Sequence, residues 1–300
     1  MSFSATEAAF EGFRVVRRRP MALIFWTLFY LVMIAAALAV LGGSLIGLMS
    51  TVQELEQAGG TPTADDVMPV LQAYLAIFAV ILPFSLIASA VLYAAVSRSV
   101  LRPNESRFGY LRLGMDEVRV LVVSVALFLI FTVLSVVVFG AVGAIGGIAW
   151  GSDLPALWIV VVLLVCAAIA LFIWLAVRLS LAIPITMAER RIAILDSFAF
   201  TKGRFWPLLG MALLAAVMSI VVGLLGSLVA MPIQLAAGNM DALTGLEDES
   251  LQVILQTAWP AIAVWIVVNA VMSALQLAVV YAPFSAAYRD IKGVQTDAAA

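Results

Sequence analysis

The feature that most constrains this chain is where its charges are missing. Six stretches carry no Asp, Glu, Lys or Arg: residues 20–53, 67–97, 120–152, 154–177, 205–240 and 250–288. Each exceeds the roughly 20 apolar residues that cross the hydrocarbon core of a bilayer. The excess length reads as tilt or as helix continuing past the lipid. The spacing therefore predicts an all-α integral membrane protein with six transmembrane helices.

The charges that remain are sorted. Arg14, Arg17, Arg18 and Arg19 precede the first run, and the connector after it holds Glu54, Glu56, Asp65 and Asp66 with no base. Arg98, Arg102, Arg107, Arg112 and Arg119 surround the connector between the second and third runs. Only Gly151, Ser152 and Asp153 part the third from the fourth. Arg178, Arg190, Arg191, Lys202 and Arg204 follow the fourth, and Asp241, Glu247, Asp248 and Glu249 follow the fifth. Arg289 and Lys292 close the sixth, so all 16 basic residues fall on one side. The positive-inside rule makes that side cytoplasmic, with both termini there and the chain in an inner membrane.

Composition agrees and narrows the chemistry. The chain is 65% hydrophobic and 11% charged over 300 residues, against about 45–50% and about 25% for soluble domains. It contains no histidine, which removes the commonest general base and most zinc sites. The single Cys166 lies in an apolar run and reads as a small buried hydrophobe. The carboxylates have no spacing that calls for a metal, and no base accompanies a Ser or Cys nucleophile. The expectation is a protein that is not an enzyme, with no catalytic, cofactor-binding or metal-binding residue and no nucleic-acid partner.

Each pair of runs is introduced by a basic, aromatic segment on the inner side. Phe10, Phe13 and Val16 share a helical face before the first run. Phe108, Leu111, Met115 and Val118 do so before the third, and Leu195, Phe198 and Phe205 before the fifth. Such segments lie in the interface with the apolar side down and the arginines near head groups. Phe13, Arg17 and Pro20 have the mutual spacing of Phe200, Arg204 and Pro207. Pro184, Thr186, Ala188 and Arg190 match Pro283, Ser285, Ala287 and Arg289, whereas the exit near Arg98 matches poorly. This reads as a single transmembrane domain of three pseudo-repeated elbow-plus-helical-hairpin units, 1–98, 99–190 and 191–292, with a tail 293–300.

Glycines gather toward the outer ends of the odd runs, and Gly43 with Gly47 and Gly143 with Gly147 fit a small-xxx-small pattern. The even runs carry Pro83, Pro184 and Pro283, each of which frees a carbonyl and favours a kink. The expected packing joins the odd helices at the outer leaflet and lets the even ones splay inward.

The candidate contacts are the basic residues of the elbows: Arg14, Arg17, Arg107, Arg112, Arg178, Arg190, Arg191, Lys202 and Arg204. Anchoring in the interface alone accounts for them. They also suit anionic lipid head groups, or a docking surface for a cytoplasmic or membrane protein partner. Arg178 reads as snorkelling to the interface, or as gripping a lipid phosphate or an acidic partner. Asn269, Ser273 and Gln276 share one face of the sixth run, as interhelical hydrogen bonds or as a polar path.

The stretch AILDSFAFTKGRFWPLLG resembles the repeated signature of a broad bacterial group of polytopic membrane proteins. That group includes the membrane domain preceding the catalytic barrel of some glycerophosphoryl diester phosphodiesterases. The likeness is carried by Ser197, Thr201, Gly203, Arg204, Phe205 and Trp206 and by the six-run layout. It implies a fold and a bacterial inner-membrane setting. It does not bring the activity, since a chain without histidine lacks that barrel's catalytic histidines. The expected function is a non-enzymatic scaffold or lipid-interacting protein acting through the elbows. The alternative is a transporter or permease subunit whose elbows couple to a separate ATPase.

Overall fold

Hydrocarbon offers no partner for backbone N–H and C=O groups, so an apolar run that crosses it must satisfy them within a helix. The computed structural model, which describes residues 4–57, 63–152, 156–237 and 251–293, builds every run that way. The six long helices are α3 (Pro20–Gln57), α4 (Ala64–Leu101), α5 (Met115–Gly151), α6 (Ala156–Leu179), α9 (Phe205–Ala237) and α10 (Leu251–Lys292). All six are long and apolar enough to cross a membrane. Shorter elements complete the described residues: α1 (Ala5–Ala9), α2 (Glu11–Arg18), the 3-10 turn η1 (Arg107–Tyr110), α7 (Ala182–Glu189) and α8 (Asp196–Thr201). Gly59 and Gly60, Asp153, the acidic residues from Asp241 to Glu249, and the tail beyond Gly293 lie outside the described residues.

The helix at the centre is α10. Ala270, Ala274, Ala278, Ala282 and Ala286 recur every fourth residue along one stripe, and all are fully buried. Small side chains at that spacing let other helices approach closely where lipid supplies no hydrophobic drive. Helices α9, α3, α4 and α2 all pack on α10. Helix α2 comes close at Gly12, where an added Cβ would stand 2.5 Å from the Ala278 carbonyl oxygen and 2.5 Å from the Val279 Cα. The first elbow is therefore docked on the bundle through Ala8, Ala9, Gly12 and Val15, while Phe10 stays half exposed.

The expected meeting of odd helices at the outer ends is not what forms. A Cβ on Gly42, Gly43, Gly47, Gly140, Gly143, Gly146 or Gly147 would meet nothing within 4 Å. Only Gly223 and Gly226 pack closely, against Gln276 and Met272 of α10. The even helices converge at the basic end instead of splaying. There Tyr93 lies against Tyr281, ring centroids 4.1 Å apart, and Ser285 donates to Ser97 at 3.2 Å. The close contacts gather on the alanine stripe of α10, and the glycines of α3 and α5 have no neighbouring helix within reach among the described residues.

Helices α4 and α10 continue through Pro83 and Pro283, and the chain before Pro184 divides, between α6 and α7. Ser197 splints that break, its hydroxyl donating to the Arg178 carbonyl at 2.7 Å and accepting from the Leu181 N–H at 3.2 Å. The second elbow is not a helix. Phe108, Gly109 and Tyr110 take left-handed φ of 49°, 64° and 67°, so the stripe from Phe108 to Val118 cannot share one face. Leu111 packs on the core, while Phe108 and Leu113 are 72% and 88% exposed.

Candidate functional site

The short elements bring the basic residues to one end of the bundle, where they form a collar. Its deepest member is Arg98, 2% exposed, which donates to Glu117 at 2.5 Å and to the Tyr110 carbonyl at 2.6 Å. Burying a guanidinium is costly without a paired, hydrogen-bonded partner, and here the pair ties α4 to α5 across the left-handed turn. The Trp26 indole N–H donates to the Gly109 carbonyl at 2.8 Å, and Arg19 donates to the Pro103 carbonyl at 2.8 Å. Arg102 holds Asp116 at 3.0 Å and caps the Met187 carbonyl of α7 at 2.6 Å. Glu189 accepts from Lys292 at 2.6 Å, joining α7 to α10. Arg289 reaches the buried Glu11 of α2 at 3.5 Å.

The nine basic residues singled out from the sequence divide by what they touch. Arg14 pairs with Glu11, and Arg112 with Glu105 at 2.9 Å. Arg191 contacts Asp196 and, at 2.7 Å, Glu189. Hydrogen bonds that Arg191 donates to Glu189 and then Asp196 raise its pKa above the ordinary value. Arg178 turns to the third elbow, 3.4 Å from the Thr201 hydroxyl and 3.5 Å from the Phe198 carbonyl, with its guanidinium 5.8 Å from the Trp174 ring centroid. Arg17, Arg107, Arg190, Lys202 and Arg204 are exposed with no carboxylate in salt-bridge range among the described residues. Arg18 joins them.

Asn269, Ser273 and Gln276 do come together on one face of α10. Ser273 donates to the Asn269 side chain at 3.4 Å, and Gln276 donates to the Ser219 carbonyl of α9 at 3.2 Å. All three also line a cavity of about 210 Å³ between α9 and α10, with Gly223, Gly226 and Trp265. A second cavity, about 360 Å³, takes over at Ser273 and Gln276 and runs on to Tyr30, Ser89, Tyr93 and Tyr281. A third, about 430 Å³, shares Ser89, Tyr93 and Tyr281 and continues between α4, α5, α6 and α7 to Ser97, Ser124, Ser180 and Pro184. The three cavities succeed one another along α10 with neighbours sharing wall residues, a groove of separate pockets whose lining carries no charged side chain.

Sequence reasoning missed Glu11, Glu117, Arg98, Tyr93, Tyr281 and Ser124. A signal for the Tyr93–Tyr281 and Ser97–Ser285 pairs was present: Tyr93 and Ser97 stand at the same offset as Tyr281 and Ser285 in two apolar runs. Nothing local announced the Arg98–Glu117 pair. Among the described residues no group of three or more His, Cys, Asp or Glu converges as a metal site. Cys166 is exposed on the lipid-facing surface rather than buried.

The fold and these surfaces define a multi-pass α-helical membrane protein. No family model, no curated protein and no solved structure matches the chain.

Proposed function

We propose that this is a non-enzymatic, lipid-interacting protein of a bacterial inner membrane, whose basic end is cytoplasmic and engages anionic head groups. One observation carries the reading: the cations left without carboxylates stand beside exposed apolar side chains. Arg107 adjoins Phe108, 72% exposed, and Arg190 precedes Ile192 and Leu195, 51% and 78% exposed. Lys202 and Arg204 flank the approach to Trp206, 76% exposed. Cation beside apolar anchor is the pattern of an interfacial segment on an anionic surface. Among the described residues, every acid at this end except Glu7 is paired with a basic side chain, so the cations left over dominate the local field.

Each Lys or Arg near an anionic surface contributes about 1 kcal/mol. The variant Arg107→Gln, Arg190→Gln, Lys202→Gln, Arg204→Gln should therefore lose most of any enrichment of phosphatidylglycerol over phosphatidylcholine in lipid retained by the purified protein. Equal enrichment in the variant and the parent, read by mass spectrometry of extracted lipid, overturns the proposal.

A second reading, a permease, draws on the groove lined by Ser273 and Gln276. It requires water there: in a Cys166→Ser background, Ser273→Cys should react with a membrane-impermeant thiol reagent. No reaction removes that reading.

A further inference from the structure

The inner third of the groove holds two hydrogen-bond donors with nothing to donate to. Serines inside membrane helices ordinarily bond back to a carbonyl of the preceding turn. Ser89 does so to Leu86 at 3.0 Å, Ser180 to Val177 at 2.8 Å and Ser227 to Leu224 at 2.8 Å. Ser124 does not; it is 8% exposed and its hydroxyl has no partner. Across the same cavity, Tyr281 donates to the Tyr93 hydroxyl at 2.7 Å. That leaves the Tyr93 proton without an acceptor among the described residues. Tyr93 and Ser124 both line the cavity of about 430 Å³, and a buried donor left unmade is costly.

The occupant that answers them carries a hydrogen-bond acceptor, no charge at that depth, and an apolar chain. The walls supply the apolar part with Leu127, Phe131, Leu179 and Phe284. Depth identifies the acceptor. Tyr93 lies five residues before Arg98 and Ser124 seven after Glu117, so both sit about 7–10 Å below the ion-pair layer at the helical rise of about 1.5 Å per residue. The interfacial layer on each side of a bilayer is about 5–8 Å thick. A lipid whose phosphate lies level with the collar therefore brings its ester carbonyls to these hydroxyls. From Phe284 to Trp265 the row of cavities spans about 28 Å of α10, close to the full hydrocarbon thickness.

We propose that the groove is a binding site for one bilayer glycerolipid, held by hydrogen bonds from Tyr93 and Ser124 to its ester carbonyls, with an acyl chain laid along α10. This rests on the lipid-interacting reading but not on its head-group preference, so the two fail separately.

The test uses the full chain in phosphatidylcholine nanodiscs, with a phosphatidylcholine bearing a diazirine in one acyl chain as probe. Crosslinks mapped by mass spectrometry should concentrate on Leu127, Phe131 and Val280 over lipid-facing positions such as Val136 and Ile159, by about fivefold or more. Ala176→Phe fills the groove from its exposed wall and should abolish that excess. Tyr93→Phe with Ser124→Ala, nearly isosteric and so insulated from misfolding, should reduce it about tenfold. Uniform crosslinking around the bundle in the parent, or an excess that survives both variants, overturns the proposal. So does reaction of Ser124→Cys, in the Cys166→Ser background, with an impermeant aqueous thiol reagent, because a wetted cavity satisfies those donors with water.

Discussion

Glycine-to-alanine substitutions separate the packing observed here from the packing that glycine motifs imply. At Gly12 the added Cβ stands 2.5 Å from the Ala278 carbonyl oxygen, 2.5 Å from the Val279 Cα and 2.7 Å from the Ala278 carbonyl carbon. All three are backbone atoms of α10, so no rotamer change relieves the clash and α2 must move. Overpacking of this kind costs about 1–3 kcal/mol, and the rigid partner places Gly12 near the upper figure. Better helix propensity of alanine returns about 0.8–1 kcal/mol, leaving a net loss of about 2 kcal/mol. At Gly43 or Gly143 the Cβ meets nothing within 4 Å, so only the propensity gain remains. Equilibrium unfolding in mixed micelles titrated with dodecyl sulfate reads both. Gly12→Ala should fall below the parent and Gly43→Ala and Gly143→Ala should match or exceed it, a spread of about 3 kcal/mol. Should Gly12→Ala prove as stable as Gly43→Ala, the docking of α2 on α10 is wrong. A loss at Gly43 or Gly143 restores the glycine-mediated packing.

The same unfolding assay reads two more sites. Arg98→Met strands Glu117 and removes the donor to Tyr110, and should cost about 3–5 kcal/mol. Arg98→Met combined with Glu117→Leu should recover most of that loss, since a well-packed apolar pair commonly replaces a buried ion pair without penalty. If the double variant is no better than the single one, the pair does not act as a unit. Ser197→Ala removes the hydroxyl between the Arg178 carbonyl and the Leu181 N–H, and leaving that buried N–H unpaired should cost about 1–3 kcal/mol. Faster amide exchange at Leu181 in this variant, with exchange in α9 unchanged, would locate the loss at the break.

The six spans were legible because charge and hydropathy act over windows of twenty residues or more, and no single neighbour overrides them. The gathering of the basic segments at one end was legible for the same reason. Pairing was not. Glycine drew attention at positions 43, 47, 143 and 147, whereas the contact is made by alanines 270 to 286, whose every-fourth spacing is hidden in a composition rich in alanine. The second elbow misled because Phe108, Leu111 and Met115 have helical spacing only if the chain between them is helical. Gly109 with φ 64° and the extended Gly114 break it. The site residues were legible as charges but not as partners. Arg107, Arg190 and Lys202 are exposed without an acid and Arg191 is held by two, a difference set by the position of Glu189 and Asp196.

The collar and the groove are mechanically one structure, and this bears on what each can be asked to do. Arg98–Glu117, Arg102–Asp116 and Glu189–Lys292 fix the ends of α4, α5, α7 and α10 against each other. The hydroxyls of Tyr93, Ser124 and Tyr281 hang from those same ends, so their depth is set by the ion pairs rather than by lipid. The cations without acids sit on the elbows, where the chain is held by capping contacts such as Arg178 with Thr201 and Ser197 with Arg178. Neutralising the elbows therefore alters the field at the surface while leaving the groove in place. Breaking Arg98–Glu117 does the reverse, loosening the wall that carries Tyr93 and Ser124 with the elbow charges unchanged.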